Sequence, residues 1–251
     1  MSRLAVQPIT RVVNEYRQLW GLPQYKNPQD CFSPLAQISQ QPPAFDFPRT
    51  SLPPGFHYVG PLRDRWLKIP FPWDRLDGRP LVYASLGSMQ GSKLEIFKTF
   101  AAACTNFPVQ LVISHGGALA REATSNLPGD PIVVPYAPQY ELLARARVTI
   151  NPCGLNTVLD SLSHGVPLVA VPITYEQPAI AARLVWSGAG EVISLTSLTE
   201  TNLVEKMKKV LETESYLVQA KRVQQSIMGC GGVARAAEII ERFKVMPNHN
   251  L

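Results

Sequence analysis

No two cysteines in this sequence are spaced C-x-x-C. The four stand apart at Cys31, Cys104, Cys153 and Cys230, which excludes a structural zinc site of the usual spacing and gives no sign of a disulfide framework. Such usage fits a reducing compartment. No apolar run is long enough to span a bilayer, and the start, with Arg3 and Arg11, lacks a continuous apolar stretch followed by a small-residue cleavage site. The expectation is a soluble cytoplasmic chain, not membrane-spanning, that works beside a membrane when its substrate is membrane-derived. Charge is sparse, at 17% of residues with a formal net of +5, and no regular series of aromatic platforms accompanies it, so no nucleic-acid partner is expected. Lys206, Lys208, Lys209, Lys221 and Arg222 lie among glutamates at helical positions and read as a solvated face. His57 has no placed acidic or nucleophilic partner and reads as a packing or surface residue.

What is present begins with a helix. Ile9 to Trp20 sets Val12, Val13, Tyr16, Leu19 and Trp20 at helical spacing and stops at Gly21 before Pro23, giving an amphipathic helix whose apolar face needs a partner. From Pro23 to Pro80 the chain changes character, since more than half of its 23 prolines fall in the first 80 residues. QQPPAFDFPR and TSLPPGFHYVGP continue neither a helix nor a central strand. This stretch reads as an extended connector packed along a surface through Phe45, Phe47, Phe56, Tyr58, Trp66 and Trp73; the same aromatics would also suit a binding groove.

Regular alternation starts at Leu81. LVYASLGS is an apolar strand ending in a glycine turn, Lys93 to Phe107 a helix, Val109 to Ser114 a strand followed by His115, Gly116 and Gly117, and Pro131 to Pro135 a third strand leading into a short helix from Pro138. Val148 to Gln177 then spells strand, loop, helix, strand. Tyr175 to Trp186, Thr199 to Leu211, Ser215 to Ile227 and Val233 to Phe243 read as helices, with a strand from Glu191 to Leu195. Strands alternating with helices indicate an α/β fold, a doubly wound Rossmann-like sheet whose ligand crevice lies at the carboxyl ends of the strands.

Within 148–177, Asn156 and Thr157 place an amide and a hydroxyl in the first turn of a helix, where backbone N–H groups lack intrahelical partners and the dipole favours an anion. Asp160, one turn on, would reach past that anion toward hydroxyl groups. A phosphate-plus-sugar ligand suits this arrangement; an ordinary helix cap by Asn156 or Thr157 also explains it.

YASLGS at 83–88, YAPQYELL at 136–143, CGLNTVLDSLSHGVP at 153–167 and PITYEQPAIAARLVWSGAG at 172–190 together resemble the donor-binding half of the family 1 glycosyltransferases, UDP-sugar-dependent enzymes of the GT-B fold, in their bacterial macrolide-transferase-like branch. The resemblance covers residues 8 to 245. It implies residues 1–80 as the end of an acceptor domain plus a Pro-rich linker, 81–245 as the donor-binding domain and 246–251 as a tail. It assigns Gly87 and Ser88 to the donor diphosphate, Tyr136 to stacking on the uracil, Gln139 to the base or ribose, and Gly154, Asn156 and Thr157 to the phosphates. Asp160 falls to the ribose hydroxyls, and Glu176 with Gln177 to the transferred sugar. The donor implied is a UDP-sugar, UDP-glucose first, with no cofactor or metal and with a small apolar acceptor.

Two departures accompany the resemblance. Pro152 stands where the family has a phosphate-binding histidine, and proline offers neither an imidazole nor a backbone N–H. The acceptor domain that carries the family's catalytic histidine has no counterpart here, so no catalytic residue is assigned. The expectation is a truncated UDP-glycosyltransferase that relies on a separately encoded N-terminal half. The alternative is an inactive nucleotide-sugar-binding remnant, or an interaction module that self-associates through the first and last helices.

Overall fold

The computed structural model describes residues 3–63 and 68–244; the expectations for Trp66 and for the tail 246–251 fall outside them. At its centre is a six-stranded, all-parallel sheet in the order β5-β4-β3-β6-β7-β8. Its strands are β3 (Leu81–Ser85), β4 (Gln110–Ser114), β5 (Ile132–Val134), β6 (Ala146–Asn151), β7 (Leu168–Ala170) and β8 (Gly190–Val192). Every residue of β3 and of β4 is buried. A parallel sheet covered by helices on both faces requires this, and it is why these strands read as continuous apolar runs rather than alternating ones.

The connecting helices are α2 (Gly87–Gln90) and α3 (Leu94–Cys104) after β3, α4 (Arg121–Thr124) after β4, α5 (Gln139–Leu143) after β5, α6 (Leu155–Ser163) after β6 and α7 (Gln177–Ser187) after β7. They are followed by α8 (Glu200–Glu212), α9 (Glu214–Met228) and α10 (Gly232–Lys244). Strand pleating divides the core. Val82, Ala84, Ile113 and Ile150 face Phe97 and Phe100 of α3 and Met207 of α8, whereas Leu81, Tyr83 and Val112 face Leu142 and Leu143 of α5. Farther along the second face, Leu168 and Ala170 meet Val158, Leu159 and Leu162 of α6 and Leu184 of α7. Thr199 caps α8 as its sequence suggests, accepting a hydrogen bond from Asn202 N at 3.2 Å.

Residues 23–80 are not structureless. β1 (Gln37–Ser39) and β2 (Phe56–Tyr58) form a separate parallel pair. Two short segments of the same connector are thus brought side by side, and the pair packs with Val59 against Ala236 and Ile239 of α10. Ala236 and Ile239 of the last helix are therefore covered, while Ile240 stays 52% exposed. Phe45 is fully buried against α7 and α9, and the adjacent Asp46 carboxylate is gripped by Arg49, Tyr58 and Arg183. By contrast, α1 (Arg3–Leu19) leaves Ile9, Leu19 and the following Trp20 in solvent, as expected of a helix whose apolar face lacks a partner. Among the described residues no helix is long and apolar enough to cross a membrane.

At the sheet edge, Glu191 of β8 accepts hydrogen bonds from Lys206 at 2.8 Å, Lys209 at 2.6 Å and Tyr216. Two of the lysines read as solvated thus hold a strand in place. Burial pushes the Glu191 carboxyl up, but those three donors outweigh it and bring its pKa from 4.5 down to about 2. A depressed carboxylate stabilises the fold above its unfolded pKa and loses that contribution as pH falls through the folded one. A Glu191→Gln variant should melt lower than the parent near neutral pH, with the gap closing as the pH is taken from 5 toward about 2. Thermal melts across that range check this; a gap that does not change with pH would contradict it.

Candidate functional site

Strand order reverses between β3 and β6, whose successors run outward in opposite directions, and the carboxyl ends of these two strands therefore open onto a gap. A crevice of about 580 Å³ lies there, lined on one side by Leu86, Gly87, Met89 and Gln90 and on another by Pro152, Gly154, Leu155, Asn156 and Thr157. Thr174, Tyr175, Glu176 and Gln177 form a third wall, and Gln40 of the connector completes it.

Each wall has a local cause. Gly87 turns the chain out of β3 at φ 71°, with open space where a Cβ would stand, so conformation rather than crowding calls for glycine. Its N–H bonds Ser85 Oγ at 3.2 Å, which makes Gly87 a turn residue whose amide is already engaged. Ser88 follows in α2. At the end of β6, Asn151 Oδ1 accepts from Cys153 N at 2.6 Å, forming a tight turn in which buried Cys153 takes φ 65°. Gly154 is the N-cap of α6 and no side chain caps it, so neither Asn156 nor Thr157 serves as an ordinary cap. Val158 N is the first amide to bond back along α6, to Gly154 O at 3.1 Å, and the preceding amides face the crevice end of the helix. That end suits an anion.

On the third wall, Gln177 is buried, and its Oε1 accepts from both Ile173 N at 2.8 Å and Thr174 N at 2.9 Å. The expected sugar-reading glutamine therefore also staples the loop that carries Glu176. Tyr175 adopts φ 56° and is 72% exposed, an unfavourable conformation for an aromatic residue, held at the crevice rim. Two buried polar atoms lack partners among the described residues, Asn151 Nδ2 and Thr174 Oγ1. Buried polar atoms are seldom left unpaired, and both of these belong to segments that border the crevice.

The remaining expected residues gather beside it. Asp160 is 3% exposed; its Oδ2 accepts from Gln139 Nε2 at 2.8 Å and its Oδ1 lies 3.3 Å from Arg63 Nε. Gln139 Oε1 in turn accepts from the Tyr83 hydroxyl at 3.3 Å. Burial raises the Asp160 pKa, and the nearby Arg63 charge and the Gln139 hydrogen bond only partly offset it. Asp160, Arg63 and Tyr140 border a smaller cavity of about 220 Å³, next to Met228. Asp160 is thus not an open carboxylate in the larger crevice. Tyr136 is 58% exposed, and its ring lies so close to Gly117 that a Cβ there would come within 3.0 Å of the hydroxyl. His115 is turned inward, its Nδ1 accepting from Leu119 N at 3.1 Å, and burial keeps its pKa below the ordinary value.

Gln40 and Arg63 come from the proline-rich connector and carried no signal in the sequence. Thr174 and Tyr175 lie inside a recognised motif, but only the tertiary structure shows them on a crevice wall.

A sequence profile described as UDP-glucoronosyl and UDP-glucosyl transferase matches residues 38–226. The chain belongs to this family. Its relatives include the zeaxanthin glucosyltransferases of Pseudescherichia vulneris, 38% identical over 94% of this chain and 57% of that protein, and of Pantoea ananas, 36% identical over 92% and 54%. The chain therefore spans little more than half the length of these transferases. Among solved structures, the calicheamicin glycosyltransferase CalG4 superposes with a TM-score of 0.78 at 26% identity, over 96% of this chain and 61% of that one. The six-stranded sheet is accordingly the Rossmann-like half of a GT-B glycosyltransferase.

Proposed function

We propose that this chain binds the donor in a UDP-glycosyltransferase, an enzyme that moves a hexose from a UDP-sugar to a hydroxyl of a small apolar acceptor. The observation that carries the reading is the crevice at the β3/β6 crossing point, where an uncapped helix end faces Glu176 and Gln177 across the gap. An anion fits the first wall and a polyhydroxylated sugar the second, because the Glu176 carboxylate accepts from hydroxyls and the NH₂ group of Gln177 donates to them. In this reading Ser88, Gly154, Asn156 and Thr157 serve the diphosphate, with Gly87 shaping the turn that presents Ser88, while Tyr136 and Gln139 serve the base side and Asp160 the ribose. The zeaxanthin glucosyltransferase relatives support glucose as the sugar and an apolar acceptor. Residues 81–245 form the donor unit, and residues 1–80 the end of the acceptor side and its connector. A cytoplasmic protein working beside a membrane fits such an acceptor.

The chemistry follows from what a donor site must do. As the acceptor oxygen attacks the anomeric carbon, negative charge grows on the departing UDP, and amides and hydroxyls fixed at the end of α6 stabilise it without reorganising. The acceptor's proton passes to a general base on the acceptor side, in the same polypeptide or a separate one.

Calorimetric titration with UDP and UDP-glucose tests the reading, with saturable binding of both expected and absence of heat at millimolar ligand counting against it. A Pro152→His variant supplies a donor that this wall lacks and should bind UDP about tenfold more tightly, the worth of one hydrogen bond to a charged group. Unchanged affinity in that variant would show that position 152 does not face the phosphates.

A further inference from the structure

We propose that Gln40, on the proline-rich connector, is a donor-site residue whose side-chain amide hydrogen-bonds the diphosphate of the nucleotide sugar. The assignment rests on the donor-site reading above and adds to it a residue from outside the sheet-and-helix unit.

Four observations carry it. Gln40 lines the larger crevice together with Gly154, Asn156 and Thr157. Leu62 N–H donates to Gln40 Oε1 at 3.2 Å, which leaves the NH₂ end of the amide as a donor without a hydrogen-bond partner among the described residues. Its backbone is anchored on both sides, by the β1/β2 pairing that ends at Ser39 with Tyr58 and by the grip of Arg183 on Asp46. A donor held in this way loses little entropy when a ligand arrives. Finally, Pro152, on the same crevice, has neither an N–H nor a polar side chain, so an anion there has one fewer donor within the sheet-and-helix unit than a polar residue would give it.

The phosphates are the right target on electrostatic grounds. Gln40 lines the larger crevice with Gly154, Asn156 and Thr157, to which the phosphates are assigned, and does not line the smaller cavity beside Asp160. A phosphate oxygen accepts from an NH₂ group, and such charge-assisted bonds are the stronger kind.

The experiment compares the unmodified chain with Gln40→Ala and Gln40→Glu, titrated with UDP, UDP-glucose and uridine. Gln40→Ala is expected to bind UDP roughly five- to tenfold more weakly with uridine unchanged. Gln40→Glu still accepts from Leu62 N–H, which preserves the connector, but turns a carboxylate toward the phosphates and should weaken UDP further still. Equal UDP affinity in all three proteins would overturn the assignment. So would a loss shared equally by UDP and uridine, which marks a structural support, or a loss confined to UDP-glucose, which moves the contact to the sugar. Failure of the unmodified chain to bind UDP at all is a separate result, and it sinks the donor-site reading itself.

Discussion

Replacing Asp160 with asparagine is expected to weaken UDP binding by at least about tenfold while leaving the melting temperature unchanged or slightly higher. The expectation joins two properties of one carboxylate. As a charged acceptor in the proposed site, Asp160 would take hydrogen bonds from ribose hydroxyls worth roughly 1.5 to 3 kcal/mol each, which asparagine would replace with weaker neutral ones. As a buried ion it is costly, since burial raises its pKa despite Arg63 at 3.3 Å and the amide of Gln139. A carboxyl whose folded pKa lies above its unfolded value contributes most to stability at low pH and loses that contribution as pH rises through the folded value. Ionised Asp160 therefore contributes less to stability at neutral pH than its protonated form does at low pH. Binding of uridine, which has no titrating phosphate, should fall as pH is lowered through the Asp160 pKa and lose that dependence in Asp160→Asn. A variant that binds as the parent does would remove Asp160 from the site and leave its pairing with Arg63 as a structural feature only.

The second large effect is on stability. Asp46 is 2% exposed and accepts from Arg49 Nε at 2.8 Å, Tyr58 Oη at 2.7 Å, Arg183 Nε at 3.2 Å and its neighbour Phe47 N at 2.9 Å. Burial pushes its carboxyl up, yet the hydrogen bonds from Tyr58 and Arg49 more than offset this and the pKa lies below the ordinary value. Removing one member of such a buried pair costs about 3 to 5 kcal/mol, because the partner charges lose their compensation. Both arginines remain partly in water, which places Asp46→Ala near the lower end, at about 3 kcal/mol, or roughly 6 to 12 °C for a chain of this size. Thermal melts measure it, and a shift of less than about 2 °C would show the connector to be held by Phe45 and the β1/β2 pair without Asp46. The sign of the pH effect is fixed as well. A depressed carboxyl stabilises above its unfolded pKa of about 4, so this contribution starts to fade below that value and is lost as pH falls through the lower folded pKa. Since Asp46 anchors the segment that carries Gln40, the same variant should weaken UDP binding too.

The two effects fall on opposite sides of what the sequence discloses. Asp160 sits one helical turn beyond Asn156, and that spacing alone placed both on one face of α6. Asp46 sits in QQPPAFDFPR, where proline rules out helix and central strand but nothing local indicates that Arg183, far along the chain, will meet it. Gln177 shows a third case. The motif predicted its place beside Glu176, yet not that its carbonyl would be taken up by Ile173 N and Thr174 N. Gly87 is similar, since its glycine was legible as a turn, but the engagement of its amide by Ser85 was not.

The sequence by itself determined the α/β alternation from Leu81 onward and the α6 motif, because these depend on short-range periodicity: strands buried on both faces read as continuous apolar runs, and helices carry one apolar side. It also determined the family, through motifs spread from residue 83 to residue 190. The tertiary structure alone decided that β3 and β6 lie side by side at the crossing point, that Arg63 covers Asp160, and that the connector pairs with itself and brings Gln40 to the crevice. Those contacts join residues far apart in sequence, and their stability comes from burial and charge pairing that exist only once the chain has closed on itself.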